Sequence, residues 1–291
     1  MSWDRHELGG RPLYVWAPAD RSRRYPTVYV LHAHMRSAPW WFNVEPFEVS
    51  YPDRIASLAP EAVVVLADGW TELGGGQWIG ALAEYLRDEV VPFVDGAYPT
   101  NGLRGLQGKS SGGYGAIVNA LERPDLFHAV AAHAPDALFE VTLAHGFPAA
   151  ARALRGSSLE EFLASFEGLR SRSDALVVEL AAAALAFGDG TLPFDSLGRT
   201  HEAAFARWLE HDPVRLVPRH VEAVRGLRGV WLDAGNRDEY FLDLGALALR
   251  DALLAAGLPE GRLHFELVEG GHGGMSHRYP LSLAWLVERL A

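Results

Sequence analysis

Short apolar runs rich in β-branched residues recur along the chain, and segments with helical periodicity separate them. Two of these runs, TVYVLH (27–32) and AVVVLAD (62–68), are apolar at nearly every position. Such runs are typical of strands that are covered on both faces. Their alternation with helices indicates a sheet with helices packed on its faces. We therefore predict an α/β fold with a mostly parallel central sheet and helices on both faces.

Further strands and helices follow from the same patterns. The other predicted strands are LYVWA (13–17), HAVAAHA (128–134), GVWLDAG (229–235) and RLHFELVE (262–269), which makes six the minimum. A strand-like segment also precedes the serine-containing turn discussed below. Helical spacing of apolar residues predicts helices within 78–98, 111–122, 241–259 and 280–291.

The interval from about 138 to 212 interrupts this alternation, because it has helical patterns and almost no β-branched run. We predict a helical insertion at 138–212 between two parts of an α/β core, 1–137 and 213–291. Ser158 resembles a helix cap with Glu161 as its capping-box partner. Ser173 or Asp174 is expected to cap the next helix, and Thr200 a third. The insertion is interpreted as a cap over a substrate site, with extra scaffold as the alternative.

Composition excludes several classes of protein. Of 291 residues, 49% are apolar, which is ample for one buried core. The net charge of −11, without a basic run, argues against nucleic acid or an anionic membrane as partner. Cysteine is absent, which excludes disulfides and thiol chemistry. The charged amino terminus lacks a signal-peptide pattern, and the most apolar long stretch, 175–187, is too short to span a bilayer. We expect a soluble, cytoplasmic protein.

The segment GKSSG (108–112) places Ser110 between two glycines, after a predicted strand and before a predicted helix. This is the context that the GxSxG nucleophile turn requires. Glycines at both flanks let the strand and helix backbones approach closely while the serine takes a strained conformation. A phosphate-binding loop is the alternative, but it needs glycine where Leu103 stands. The pattern therefore favours Ser110 as a nucleophile, and Lys109 is expected to be solvated.

A serine hydroxyl needs a base and a group that orients the base. Asp238 lies in a loop after a predicted strand, and His272 lies in a glycine-rich loop after the last one. The order Ser, Asp, His is typical of α/β-hydrolases. Asp233, Glu239 and Asp136 are the alternatives for the acid, whereas His277 and His264 are those for the base. We predict Ser110, Asp238 and His272 as the catalytic residues.

Two backbone N–H groups are expected to form an oxyanion hole, those of His34 and of Ser111, which begins a helix. His32 and His34 could also suggest a metal, but no third ligand is apparent in the sequence, and no metal is predicted. Aromatic residues cluster around the presumed strand ends and are candidates for a substrate pocket, with core packing as the alternative for each: Trp40, Trp41, Trp70, Trp78 and Tyr114.

Seven motifs, in this order, resemble those of the putative-esterase family of α/β-hydrolases: VYVLHAH, VVLADGW, VVPFVD, GKSSGGYGA, RPDLFHAVAAHAPD, DAGNRDEY and EGGHGGMSHRYPLSL. This family includes the S-formylglutathione hydrolase (esterase D), enterochelin esterase and mycolyltransferase types. The resemblance implies an α/β-hydrolase fold and a serine hydrolase that acts on small-molecule esters without a cofactor. It also implies the triad and oxyanion hole named above. The chain departs from the family where Ala33 stands in place of glycine.

Cleavage of carboxylic esters through an acyl-enzyme on Ser110 is therefore the expected function. Acyl transfer with the same groups is one alternative, because it differs only in the acceptor. A non-catalytic binding protein on a hydrolase fold is the other. The natural ester and the oligomeric state do not follow from the sequence.

Overall fold

The computed structural model describes residues 3–42, 49–166 and 171–291. These residues contain one eight-stranded sheet, in the order β1-β2-β4-β3-β5-β6-β7-β8. The strands are β1 (Asp4–Leu8), β2 (Arg11–Trp16), β3 (Tyr25–Leu31), β4 (Val63–Ala67), β5 (Thr100–Lys109), β6 (Ala129–His133), β7 (Gly229–Gly235) and β8 (Leu263–Val268).

All strands from β3 onward run parallel, whereas β2 pairs antiparallel with both β1 and β4. The predicted mostly parallel sheet is therefore confirmed, and each of the six predicted strands is present. Strand β1 was not predicted because its sequence, DRHEL, is polar and partly exposed at the edge of the sheet.

The α-helices of the described residues are α1 (Tyr51–Leu58), α2 (Ala81–Glu84), α3 (Val91–Ala97), α4 (Ser111–Glu122), α5 (Phe139–Thr142), α6 (Phe147–Leu154), α7 (Leu159–Ala164), α8 (Arg172–Phe187), α9 (Glu202–Leu209), α10 (Pro213–Leu216), α11 (Val221–Gly226), α12 (Leu242–Ala255) and α13 (Tyr279–Leu290). A π-helical turn, Tyr85–Val90, joins α2 to α3. No helix of the described residues is long and apolar enough to cross a bilayer.

Helices cover the sheet on both faces, as the continuous apolar strands predicted. Strand β3 illustrates the arrangement. Its Tyr29 and Leu31 pack in a core cluster with α2, α3, α4 and α12, whereas Val28 and Val30 pack in a second cluster with α1 and α13. Alternate side chains of one strand thus enter opposite cores, which explains why its sequence is apolar throughout.

Helices α5 to α9 lie between β6 and β7, and they form a third apolar cluster with Tyr114 and Val118 of α4. The capping box of α7 is confirmed, because Ser158 and Glu161 exchange both expected hydrogen bonds. The predicted caps of the other two helices are wrong. Ser171 caps α8, and α9 begins after His201 without a side-chain cap.

Candidate active site

The turn between β5 and α4 has the geometry that its two glycines predicted. Ser110 occupies it with φ 54° and ψ −125°, a strained backbone conformation for a residue other than glycine. A Cβ at Gly108 would lie 2.2 Å from the carbonyl oxygen of Gly112, and one at Gly112 would lie 2.2 Å from that of Leu31. Only glycine fits at either position. The turn therefore packs directly against the end of β3 and holds the serine at the carboxyl ends of the parallel strands.

Asp238 and His272 also meet at the carboxyl ends of the parallel strands. The imidazole Nδ1 lies 2.8 Å from Oδ2 of Asp238, and the other carboxylate oxygen accepts the backbone N–H of Tyr240 at 2.9 Å. Burial alone would raise the pKa of Asp238, but the contacts with His272 and the backbone outweigh it and lower that pKa. An ionised carboxylate holds the proton on Nδ1 and leaves Nε2 as the basic atom.

Glu239, weighed as an alternative acid, also holds His272 but through the backbone. Its carboxylate accepts the His272 N–H at 2.7 Å, and this bond lowers the pKa of Glu239. The carboxylate of Asp238 thus binds the imidazole of His272, and that of Glu239 binds the backbone N–H of the same residue. Sequence reasoning missed this role, because no local pattern identifies the partner of a loop N–H group.

Ser110 and His272 line one cavity of about 270 Å³, together with Lys109 and Asp136. Among the described residues, however, the Ser110 hydroxyl donates its hydrogen bond to Asp136 Oδ1, at 3.4 Å, and no hydrogen bond joins it to His272. The structure therefore brings the predicted acid and base together. It places the predicted nucleophile in the cavity that the base lines, without a direct bond to the base.

Asp136 follows β6, where the sequence suggested it as another candidate for the acid. The structure places its carboxyl against the serine and not against the imidazole. The residue is only 3% exposed, and its Oδ2 has no hydrogen-bond partner in the part of the chain that the structure describes. Burial raises the pKa of Asp136 to about 6. This carboxyl is thus part of the wall around the nucleophile.

Two further ionisable groups line the cavity. Lys109 is half-buried rather than solvated as expected, and burial lowers its pKa to about 8, with Arg36 acting in the same direction. Burial raises the pKa of Glu179 on α8 to about 8, and the charge of Asp136 adds to this shift. His272 itself has a lowered pKa, because burial and then the Lys109 charge outweigh its bond to Asp238.

The two residues predicted to supply the oxyanion donors, His34 and Ser111, are in contact with each other. The backbone N–H of His34 donates to the Ser111 hydroxyl at 2.8 Å, so this N–H group already has an acceptor. The N–H of Ser111 lies in the first turn of α4, where no intrahelical acceptor exists. Ala33, at the position that departs from the family pattern, lines the cavity beside His34.

The imidazoles of His32 and His34 are both bound to backbone groups. His32 accepts the N–H of Gly69 at 2.7 Å and pairs with the carbonyl of Ala33 at 2.9 Å, whereas His34 Nε2 lies 2.7 Å from the carbonyl of Leu73. These hydrogen bonds connect the loop after β3 to the loop after β4. Residues 3–42, 49–166 and 171–291 contain no group of three or more potential metal ligands.

The five aromatic candidates separate into different environments. Trp40 and Trp41 line a neighbouring cavity of about 310 Å³, which shares Arg36 and Lys109 with the Ser110 cavity. Trp70 is 47% exposed and lies in a separate depression beside Arg11.

For the other two aromatic residues, Trp78 and Tyr114, the structure favours core packing. Both are fully buried. The Trp78 indole donates to the carbonyl of His32 at 3.0 Å, and the Tyr114 hydroxyl donates to that of His211 at 3.1 Å. Neither residue lines the Ser110 cavity or the neighbouring cavity of Trp40 and Trp41.

A second aspartate, histidine and serine are linked inside the molecule, which the sequence did not reveal. Asp233 Oδ1 lies 2.6 Å from His133 Nδ1, and His133 Nε2 lies 2.8 Å from the Ser282 hydroxyl. All three side chains are fully buried. Asp233 also accepts from the Arg278 guanidinium at 3.0 Å. Because no substrate can reach the Ser282 hydroxyl, we assign this network a role in stability.

The sheet order, the parallel strands and the serine turn at the end of β5 define an α/β-hydrolase fold. The family model described as "Putative esterase" matches residues 10–287. The chain therefore belongs to the putative esterase family, as its motifs had indicated.

Solved structures with similar folds include several esterases and hydrolases. A ferulic acid esterase is 18% identical, with 100% of this chain and 98% of that chain covered and a TM-score of 0.63. A fluorophosphonate-binding serine hydrolase of Staphylococcus aureus is 16% identical, with coverages of 98% and 97% and a TM-score of 0.62. An S-formylglutathione hydrolase of the same organism is 16% identical, with coverages of 99% and 98% and a TM-score of 0.60. At these identities the comparisons establish the fold.

Proposed function

We propose that the protein is a serine esterase that cleaves small-molecule carboxylic esters through an acyl-enzyme on Ser110. The observation that carries the proposal is that His272, bonded to Asp238, lines one cavity with a serine in a strained strand-to-helix turn. This is the set of groups that activates a serine hydroxyl in other hydrolases. No cofactor is needed for the reaction.

The first step requires a rotation of the Ser110 side chain from Asp136 toward Nε2 of His272. The hydroxyl then attacks the ester carbonyl while the imidazole takes its proton. Asp238 stabilises the imidazolium that forms, and the bound proton next protonates the leaving alcohol. Water, activated by the same imidazole, resolves the acyl-enzyme and restores the serine.

Negative charge on the carbonyl oxygen would be stabilised by backbone N–H groups at the start of α4. The Ser111 N–H lies in the first turn, where the helix dipole favours an anion. The His34 N–H is the proposed second donor, and the oxyanion would share it with the Ser111 hydroxyl that it contacts. Only the backbone of Ser111 is then required for the chemistry.

The helical segment 138–212 is proposed to act as a cap. Leu143, Leu176 and Leu180 from this segment line the Ser110 cavity. Asp212 connects the two ends of this segment, because its carboxylate accepts the backbone N–H groups of Leu138, Phe139 and Val214. An apolar wall limits access of bulk water, and it strengthens electrostatic interactions at the serine.

Acyl transfer to an alcohol is a second candidate, and one observation favours it. The neighbouring cavity of about 310 Å³ shares Ala33, Arg36 and Lys109 with the Ser110 cavity, so an acceptor could lie beside the acyl-enzyme. Product analysis with an added alcohol separates the two reactions. A new ester would indicate transfer, and free acid alone would indicate hydrolysis.

Hydrolysis of short p-nitrophenyl esters tests the proposal. We expect Ser110→Ala to abolish turnover, because the attacking oxygen is lost. The matched control is Ser111→Ala, which keeps the backbone N–H and should retain much of the activity. An equal loss in both variants would contradict the assignment of the nucleophile, provided that both unfold at the temperature of the unmodified protein.

A further inference from the structure

Two carboxyl groups in the wall of the Ser110 cavity make no ion pair with any residue that the structure describes. Asp136 is only 3% exposed, and its Oδ2 makes no hydrogen bond to the described residues, although the Gln77 side chain lies near enough to lower its pKa. Glu179 on α8 has no hydrogen bond or ion pair within residues 3–42, 49–166 and 171–291. Both carboxyls belong to the same cavity as the serine.

Each of the two carboxyls is influenced by charged neighbours. After burial, the charge of Asp136 is the largest influence that raises the pKa of Glu179. Arg172 lowers that pKa less, and its guanidinium lies over the ring of Tyr240. Lys109 interacts more strongly with Asp238 than with Asp136. The negative charge of the pair is therefore only partly neutralised.

Glu179 is half-buried and its pKa is about 8, so at pH 7 it is mostly protonated, and ionisation of both carboxyls is costly without a compensating ligand. Leu143, Leu176 and Leu180 form the rest of this wall, and an unpaired carboxylate beside apolar side chains loses much of its hydration. A cation that bonds to a buried carboxylate restores this energy through a charge-assisted hydrogen bond. An anion would be repelled, and a multivalent metal would lack a third protein ligand, because the described residues contain no such group.

We propose that Asp136 and Glu179 form a subsite for a protonated amino group of the substrate, so that the preferred esters are aminoacyl esters. This inference rests on the proposed esterase function. Because Asp136 lies 3.4 Å from the Ser110 hydroxyl, the amino group must stand close to the reacting carbonyl carbon. An amino group on the α or β carbon of the acyl chain satisfies this distance. Asp136 and Glu179 are then the residues that determine specificity for the acyl group.

Two 4-methylumbelliferyl esters of nearly equal shape, β-alanyl and butanoyl, test the subsite at pH 7. Each kcat/KM is divided by the rate of spontaneous hydrolysis of that ester, which removes the difference in intrinsic reactivity. We expect a preference for the β-alanyl ester of about tenfold or more, which one charge-assisted hydrogen bond can supply. The uncharged 3-hydroxypropanoyl ester should lack most of this preference. Equal preference for the hydroxyl and amino esters would overturn the assignment of a cation.

Glu179→Gln and Asp136→Asn should each reduce the ratio of β-alanyl to butanoyl turnover. Glu202→Gln removes the same charge from the exposed face of α9 and is the matched control, which should leave that ratio unchanged. If both cavity variants keep the ratio, the subsite is refuted. Thermal unfolding shows whether each variant is folded.

A measurement on the unmodified protein is independent of variant folding. Propylammonium should inhibit hydrolysis of the butanoyl ester competitively, whereas 1-propanol at the same concentration should inhibit far less. Equal inhibition by both would refute the subsite.

Failure of the subsite differs from failure of the proposed function. In the first case, the butanoyl ester is cleaved without a preference for the amino ester; in the second, no ester is cleaved and a fluorophosphonate does not label Ser110.

Discussion

Replacement of Asp238 by asparagine changes one oxygen into an NH₂ group and removes the charge that faces His272. In the structure, both carboxylate oxygens are used: Oδ1 accepts the Tyr240 N–H at 2.9 Å, and Oδ2 contacts His272 Nδ1 at 2.8 Å. The asparagine has a single acceptor oxygen, and the rigid backbone N–H of Tyr240 competes for it. The amide NH₂ then faces Nδ1 and forces the proton of the imidazole onto Nε2.

An imidazole in that tautomer cannot accept a proton from Ser110. We expect kcat/KM for p-nitrophenyl butyrate to fall by about 10³ to 10⁴, which corresponds to about 4 to 5.5 kcal/mol of transition-state stabilisation. Asp238 is only 4% exposed, so water cannot easily replace the lost acceptor. The rates are measured on the pH plateau, and urea unfolding establishes that the variant is folded.

The adjacent carboxylate provides the matched control. Glu239 accepts the backbone N–H of His272 at 2.7 Å, and its side chain is exposed. Glutamine in its place keeps a carbonyl oxygen for that bond, so Glu239→Gln should reduce kcat/KM by less than about tenfold. Similar losses in the two variants, or more than a tenth of the activity left in Asp238→Asn, would refute the assignment of separate roles.

Three further predictions concern the turn, the buried network and the pH dependence. Gly112→Ala would place a Cβ 2.2 Å from a β3 carbonyl, and the free energy of unfolding in urea should fall by about 3 kcal/mol or more; a smaller fall contradicts the steric argument. Asp233→Asn removes a fully buried carboxylate that accepts from Arg278 and Trp231, although Arg278 keeps its ion pair with Glu266, and should cost about 3 kcal/mol in the same assay, while residual esterase activity of the folded fraction persists. Because the base must be neutral, kcat/KM should fall as the pH falls through the lowered pKa of His272. Lys109→Met removes a charge that lowers this pKa and should move the acidic limb to higher pH, so an unmoved or downward-shifted limb contradicts the account.

Local steric requirements made the serine turn predictable from the sequence. Gly108 and Gly112 flank Ser110 in the chain, so their spacing is visible in the sequence, although the atom that excludes a side chain at Gly112 belongs to Leu31 of β3. The contact between Asp238 and His272 was predictable for another reason. Parallel strands bring their carboxyl-terminal loops to one edge of the sheet, so residues after β7 and β8 must lie close together.

Contacts that depend on rotamers and on distant packing were not predictable. The hydrogen bond from Ser110 to Asp136 depends on one torsion of the serine side chain, for which the sequence has no signal. Similarly, the burial of Trp78 follows from its packing in the cavity left by two glycines of other elements, Gly69 and Gly115. His133 looked like any histidine in an apolar strand, and its bond to Asp233 required the register of β6 against β7.

Covalent labelling tests the central claim that Ser110 becomes the reactive nucleophile in this cavity. The protein is treated with a fluorophosphonate, digested, and mapped by tandem mass spectrometry. The account predicts one adduct, on Ser110, which is lost in Ser110→Ala and strongly slowed in Asp238→Asn. An adduct on Ser111, or no adduct on the folded protein, would contradict it.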